Sequence, residues 1–145
     1  MAYKSIEITN ARAVYKQASK TSQFYVGFSS TNIANTNSKL YDLDLIKQDL
    51  INHFNTRKGE RIMNPSFGSV IWDLIMEPLT PDLQLVIQDD INAICNSDAR
   101  VVPTQIKISE LTTGYLVEIT IQLVGSDQSA NLSLNFNQNI GLLAQ

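Results

Sequence analysis

The last third of the chain alternates between apolar and polar residues, and this pattern constrains the fold more than any other. The alternation predicts three strands, at residues 104–110, 115–124 and 132–136. Turn-forming residues separate them at positions 112–114 and 125–127, as in successive antiparallel hairpins. Three such strands have one apolar face, which another layer of the protein must cover. The helices predicted upstream of the strands are the available cover.

The clearest helical signal begins at Thr80. This residue supplies a hydroxyl that can cap a helix, Pro81 suits the first turn, and Asp82 lies beside the positive end of the helix dipole. The pattern that follows predicts a helix to about Cys95, with an apolar face made of Leu83, Val86, Ile87, Ile91 and Ile94.

Two further helices are predicted upstream. Residues 42–54 have apolar positions at helical spacing, and Asp42 or Asp44 is expected to cap their start. Residues 69–76 form a shorter apolar segment, which Pro78 brings to an end. The predicted class is therefore α+β, with about three helices covering one face of a small antiparallel sheet of three to four strands.

The length of 145 residues is that of a single domain. Residues 1–22 show no sustained period and are interpreted as an N-terminal arm. Residues 23–137 form the predicted domain and residues 138–145 a C-terminal tail. Within the domain, residues 23–29 are aromatic and β-branched and could supply a further strand, before a polar linker that reaches residue 38.

The charge and composition exclude several classes of function. A net charge of −3 and a pI near 5.0 argue against general nucleic-acid binding, which requires a basic face. No segment approaches the roughly 20 apolar residues that span a bilayer, and the N-terminus resembles no signal peptide. The single cysteine, Cys95, fits a reducing compartment. We therefore expect synthesis in the cytoplasm.

The segment between the first two predicted helices, residues 55–72, is unusually rich in charge and turn residues. Three cations, Arg57, Lys58 and Arg61, fall within five positions and are followed by Pro65 and by Phe67 next to Gly68. A charge run of this kind is usually a solvated loop. The turn residues favour an ordered loop, and arginine suits bidentate carboxylate pairs at interfaces, so we interpret it as an interface or a structural clamp.

Catalysis lacks the residues that it would need. Glu60, Asp73 and Glu77 are the candidate carboxylates, but a glycosidase requires one neutral carboxyl in an apolar site. Glu60 lies among cations, which favour its ionised form. His53 and Cys95 have no metal-ligand spacing around them and are interpreted as packing residues. We predict neither an enzyme nor a cofactor or metal site.

Several motifs together carry a family resemblance over residues 41–137. Thr56-Arg57-Lys58-Gly59-Glu60-Arg61, the Pro65-Ser66-Phe67-Gly68 step and the segment from Ile71 to Leu79 resemble the phage baseplate-wedge and sheath-initiator family. That family is often described as lysozyme-like and has relatives in type VI secretion baseplates. The resemblance implies a structural protein of the virion tail whose partners are other wedge proteins and the tail sheath protein, with tail-tube or hub-proximal proteins as further candidates.

The resemblance also implies particular contacts. A Glu-Pro-Arg triplet of the family corresponds here to Asp98, Ala99 and Arg100, where the acid is shorter and the proline is lost. Arg100 is expected to contact the wedge core, with Asp98 orienting it, although an arginine at a helix end also suits the helix dipole. The full set of expected wedge contacts is Arg57, Lys58, Arg61, Pro65, Phe67, Gly68, Asp98, Ala99 and Arg100.

The last predicted strand is the expected site of sheath binding. An open sheet leaves unpaired backbone groups at its edge, and a strand from the sheath protein could pair there. The expected edge comprises Leu132, Ser133, Leu134, Asn135 and Phe136. The alternative is an edge covered by the protein's own arm. Two alternative functions stay open: a peptidoglycan hydrolase, and the equivalent subunit of a type VI secretion or other contractile injection system.

Overall fold

A computed structural model describes residues 25–29 and 39–144 of the chain. The predicted N-terminal arm lies outside the described residues. These residues form six strands and three helices. Their bounds are β1 Val26–Phe28, β2 Lys39–Tyr41, α1 Asp42–Asn55, α2 Ile71–Leu74, α3 Pro81–Asn96, β3 Val101–Leu111, β4 Gly114–Leu123, β5 Ser129–Asn137 and β6 Gly141–Ala144. The predicted α+β class is confirmed.

The main sheet has four antiparallel strands in the order β3-β4-β5-β6. The hairpin between β3 and β4 depends on Gly114, which has a φ of +153° and lies so close to β5 that a β-carbon would overlap the Phe136 carbonyl. A side chain at this position would collide with that carbonyl, so only glycine fits. A bulge between Pro103 and Gln105 shifts the register of β3 against β4.

The core lies between one face of this sheet and the helices. The alternating residues of β4 and β5 are fully buried, as the pattern in the sequence predicts. The apolar faces of α1 and α3 cover them, together with Ile71 of α2. The buried apolar residues are Ile46, Leu50, Phe54, Ile71, Ile87, Ile91, Ile94, Cys95, Val101, Tyr115, Val117, Ile119, Ile121, Leu123, Leu132, Leu134 and Phe136.

The start of α3 agrees with its prediction, whereas the start of α1 does not. The Thr80 hydroxyl accepts a hydrogen bond from the Leu83 N–H over 3.3 Å, and Pro81 occupies the first turn. The cap predicted at Asp42 or Asp44 is wrong, because Tyr41 holds the cap position without a side-chain cap hydrogen bond. The Asp42 carboxylate instead accepts from the Tyr25 N–H at 2.9 Å, which ties β1 to the helix.

One other prediction about packing is wrong. The pattern places Val86 on the buried face of α3, but Val86 is 51% exposed. It lies about 100° around the helix from Ile87, at the margin of the face that is buried.

The strand predicted within residues 23–29 is confirmed as β1. It pairs with β2 in a separate two-stranded sheet that packs against α1, so it adds no strand to the main sheet.

The predicted edge strand is wrong in part, because a further strand covers one end of β5. The Asn137 side chain accepts hydrogen bonds from the backbone N–H groups of Asn139 and Ile140 at 2.8 and 3.3 Å, and Gly141 follows with φ +95°. This turn reverses the chain within the segment that was predicted as a tail. Strand β6 then pairs with residues 134–137 of β5, so Leu134, Asn135 and Phe136 lie beside a further strand. Among the described residues, the edges of the sheet are β3, the short β6 and residues 129–133 of β5, which β6 does not reach.

Candidate partner-binding site

The basic loop, residues 56–69, connects α1 to α2 and is closed at its base. The Ser69 N–H donates to the Thr56 carbonyl at 2.9 Å and the Lys58 N–H donates to the Ser69 carbonyl at 3.3 Å. Inside the loop, the Gly59 N–H donates to the Pro65 carbonyl at 2.8 Å. These bonds satisfy backbone groups that a solvated loop would leave to water, so the expectation of an ordered loop is confirmed.

Asp90 of α3 anchors the loop from below. Its carboxylate accepts hydrogen bonds from the Ser69 hydroxyl at 2.9 Å, the Val70 N–H at 3.0 Å and the Lys58 ammonium at 3.2 Å. The Asp90 side chain is only 5% exposed, and a buried carboxylate is stable only with such partners. The loop is therefore attached to the core helix through a polar contact as well as through packing.

Gly68 allows the two ends of the loop to approach each other. Its φ is +115°, and a β-carbon there would lie 2.7 Å from the Thr56 oxygen and the Arg57 carbonyl carbon. An L-residue is disfavoured by this φ as well as by the lack of space. Gly68 is thus a structural requirement of the loop and is itself buried.

An aromatic stack joins the loop to α1. The rings of His53 and Phe67 are stacked with their centroids 3.8 Å apart, and the Arg61 guanidinium lies 3.8 Å from the Phe67 centroid on the loop side. Burial lowers the pKa of His53. Asp90 opposes this shift, and Arg61 and Lys58 add to it. Burial of the ring therefore favours the neutral imidazole.

The second predicted contact segment is stabilised by ion pairs. The Arg100 guanidinium donates to both oxygens of Asp98, at 2.6 to 3.2 Å, and to Asp49 of α1 at 2.7 Å. It also lies 5.6 Å from the ring centroid of Tyr25. The hydrogen bond from Arg100 is the main reason why the pKa of Asp98 is lowered, and the same bond raises the pKa of Arg100. Arg100 thus joins α1 to the start of β3.

One groove unites the two segments. It has a volume of about 400 Å³ and lies where α1, the basic loop and the end of α3 meet. Its lining includes Arg61 and Phe67 from the loop and Asp98 and Ala99 from the second segment, although these pairs are separated by more than 30 residues in the sequence. The remaining lining residues are Asp49, Leu50, Asn52, His53, Ile94 and Ser97. We call this the α1 groove.

The other predicted contact residues lie elsewhere. Arg57 and Lys58 line a second groove of about 590 Å³ that also includes Trp72. Arg57 pairs with Asp73 at 3.3 Å, with both side chains more than half exposed. Pro65 is exposed within the loop, and Arg100 supports the α1 groove from outside its lining.

The residues expected to bind the sheath divide between the two faces of the sheet. Leu132, Leu134 and Phe136 are buried in the core, and Phe136 packs edge-on against Trp72 with the ring centroids 5.3 Å apart. Ser133 and Asn135 point to the opposite face by the alternation of the strand. These three side chains are therefore unavailable for contact. Only the backbone of Leu132 could still pair with a further strand, because β6 already pairs with Leu134 and Phe136.

Sequence reasoning missed two features of this region. Asn52 and Asp49 of α1 line the α1 groove, and only the fold shows that they face the loop. Ile62 and Met63 are almost fully exposed at the tip of the loop. Two large apolar residues within a run of charged and turn residues are a signal that could have identified them.

Features typical of other classes are absent from the part of the chain that the structure describes. No group of three His, Cys, Asp or Glu residues there could hold a metal ion. None of the helices among residues 39–144 is long and apolar enough to cross a membrane. The helix-covered sheet with its ordered basic loop is an α+β domain.

Comparison with known families gives the identification. The chain belongs to the family described as "Baseplate wedge protein gp25", whose model matches residues 41–128. It is thus a component of the phage tail baseplate that interacts with other baseplate proteins. A crystal structure of a "putative tail lysozyme" from Geobacter sulfurreducens has a similar fold, with a TM-score of 0.54 and 20% identity over 61% of this chain and 83% of that one. No curated protein matches the chain.

Proposed function

We propose that this protein is a structural subunit of a contractile-tail baseplate wedge and that it binds a neighbouring wedge protein in the α1 groove. One observation carries the proposal: the two segments that the sequence marked as wedge contacts line the same groove. A single partner segment could therefore touch Arg61, Phe67, Asp98 and Ala99 together.

The groove offers a partner fixed charges of both signs. Arg61 belongs to the basic loop, Asp49 to α1 and Asp98 to the segment after α3. Because Arg100 holds both carboxylates and the Phe67 ring supports Arg61, few side chains lose freedom on binding, which favours affinity. We assign Arg100 a positioning role, with its 26% exposed side chain at the margin of the contact.

A substitution that fills the groove tests this assignment. Ala99 is exposed and lines the groove, so Ala99→Trp should block the partner without disturbing the core. Gln105→Trp, at an exposed position on β3, is the matched control. We expect the tagged control to capture wedge proteins from cells that produce the tail, and the Ala99 variant to lose them. Equal capture by both variants would refute the α1 groove as the contact.

We further propose that the tail sheath protein adds a strand at the side of the sheet where β6 ends. Strand β6 pairs only with residues 134–137, so the described structure leaves residues 129–133 of β5 open on that side. This restricts the expected sheath site to Ser129–Ser133 and retains Leu132 and Ser133 through their backbone groups. Hydrogen exchange with added sheath protein should show protection at residues 129–133. Protection at residues 101–111 instead would assign the contact to the β3 edge.

A peptidoglycan hydrolase is the second candidate, and the name of the Geobacter structure is the observation that favours it. The carboxylates of the loop region have other roles here. Glu60 accepts from the Arg57 N–H at 3.0 Å, and Asp73 pairs with Arg57. We therefore propose that the protein is not an enzyme. A cell-wall turbidity assay with Glu60→Gln and Glu77→Gln decides the matter, because clearing that these variants abolish would demonstrate catalysis.

A further inference from the structure

The tip of the basic loop presents two large apolar side chains to solvent. Ile62 is 95% exposed and Met63 is 96% exposed, more than any other large apolar residue in the described part of the chain. They are adjacent in the sequence and are flanked by Arg61 and Asn64. Single exposed apolar residues are common on protein surfaces, whereas a fully exposed pair at a protruding turn is typical of a contact site.

The backbone beneath the tip keeps these side chains away from the core. The Asn64 N–H donates to the Arg61 carbonyl at 3.2 Å, which closes the turn that carries Ile62 and Met63. Asn64 is held in turn, because its carbonyl accepts from the Phe67 N–H at 3.1 Å and its side chain accepts from the Ser66 hydroxyl at 2.8 Å. Because the turn already fixes the backbone, the pair loses little backbone entropy when its side chains enter a pocket.

The charges around the tip indicate what kind of pocket would receive it. Asp73 pairs with Arg57 and Asp90 pairs with Lys58, so these two cations are already matched. Arg61, directly beside Ile62, stacks on Phe67 and has no carboxylate partner among the described residues. An unmatched cation next to an apolar pair is complementary to an apolar pocket with an acidic group at its rim.

We propose that Ile62 and Met63 insert into an apolar pocket of a neighbouring wedge protein, while Arg61 meets a carboxylate at the rim of that pocket. This inference rests on the proposed wedge function and adds an anchor beside the α1 groove. The pair would form the buried centre of the contact, and the polar groove would form its rim, as in other protein interfaces.

The test uses the wedge complex purified from a mutant phage that lacks this protein. The test variant combines Ile62→Ser with Met63→Ser, and the control combines Ile140→Ser with Met76→Ser, an isoleucine and a methionine that are 69% and 72% exposed elsewhere. We expect the test variant to bind the complex at least tenfold more weakly than the wild type, and the control to bind unchanged. Arg61→Gln should weaken binding and reduce its dependence on salt.

The outcomes distinguish this inference from the function on which it rests. If the wild type does not bind the wedge complex, the proposed function fails. If the wild type and the test variant bind equally, the function stands and the anchor is refuted. Flotation with phosphatidylglycerol vesicles tests a lipid surface: binding by the wild type that the serine variant loses would overturn the protein pocket. Thermal unfolding of the variant should match the wild type, because both side chains are exposed.

Discussion

Removing the carboxylate of Asp90 should destabilise the whole domain, because this group joins the basic loop to the core helix. In Asp90→Ala, the Ser69 hydroxyl and the Val70 N–H lose an acceptor that lies 2.9 and 3.0 Å away. A buried donor left unsatisfied costs about 1–3 kcal/mol. Loss of the Lys58 ion pair adds little to this destabilisation, because the Lys58 side chain is 41% exposed and water can replace the carboxylate. We expect a loss of about 2–4 kcal/mol in the free energy of unfolding.

The measurement is urea unfolding followed by circular dichroism, with Asp89→Ala as the matched control. Asp89 is exposed on the same helix, so its replacement tests the effect of the helix position alone and should change stability by less than about 0.5 kcal/mol. Hydrogen exchange should also show faster exchange in residues 56–69 of the Asp90 variant. Equal stability of the Asp89 and Asp90 variants would refute the role of Asp90 as the anchor of the loop.

Three further predictions concern stability and ionisation. Gly68→Ala should lower the free energy of unfolding by more than about 2 kcal/mol, because it adds a backbone clash to an unfavourable φ. Gly125→Ala, at φ +82° in open space, is the control and should lower it by about 1 kcal/mol. Equal losses in urea unfolding would contradict the clash. The NMR titration of His53, the only histidine, should have a midpoint below 6.5. Because the folded state disfavours the protonated ring, the free energy of unfolding should be highest above pH 6.5 and should fall as the pH drops below 6.5. A midpoint above 6.5 would contradict burial of the ring. Arg100→Lys should lower the free energy of unfolding by about 1–2 kcal/mol at neutral pH. Arg57→Lys, in an exposed ion pair, is the control and should lower it by less than about 0.5 kcal/mol. Because the pKa of Asp98 is lowered from 3.8, the excess loss in Arg100→Lys should disappear as the pH falls below that value.

The main sheet and the long helix could be predicted because their signals are local. Alternation marks β3, β4 and β5, and Thr80 with Pro81 marks the start of α3. Strand β6 was missed because Gly141–Ala144 is too short to show a period, although Asn137 and Gly141 are turn residues. That omission also misplaced the edge of the sheet.

The candidate site was predicted only in part, because it depends on tertiary contacts. The loop and the segment at Arg100 were both identified, but their meeting in one groove follows from how α1 and α3 pack. Asp90 gave a signal that was overlooked: it is a charged residue on the same helical face as Ile87, Ile91 and Ile94. A buried charge on an apolar face requires partners, and here those partners are in the basic loop.

The most direct test of the central claim is a photo-crosslink from the edge of the α1 groove in the assembled baseplate. Ala93 is exposed in a smaller pocket that shares His53, Ile94 and Ser97 with the α1 groove, so a benzoyl-phenylalanine there leaves the groove itself open. The same group at Gln105 reports on the exposed strand β3. We expect the Ala93 position to crosslink to a neighbouring wedge protein and the Gln105 position not to do so. No crosslink from Ala93 in baseplates that contain the protein, or the same wedge crosslink from both positions, would contradict the claim.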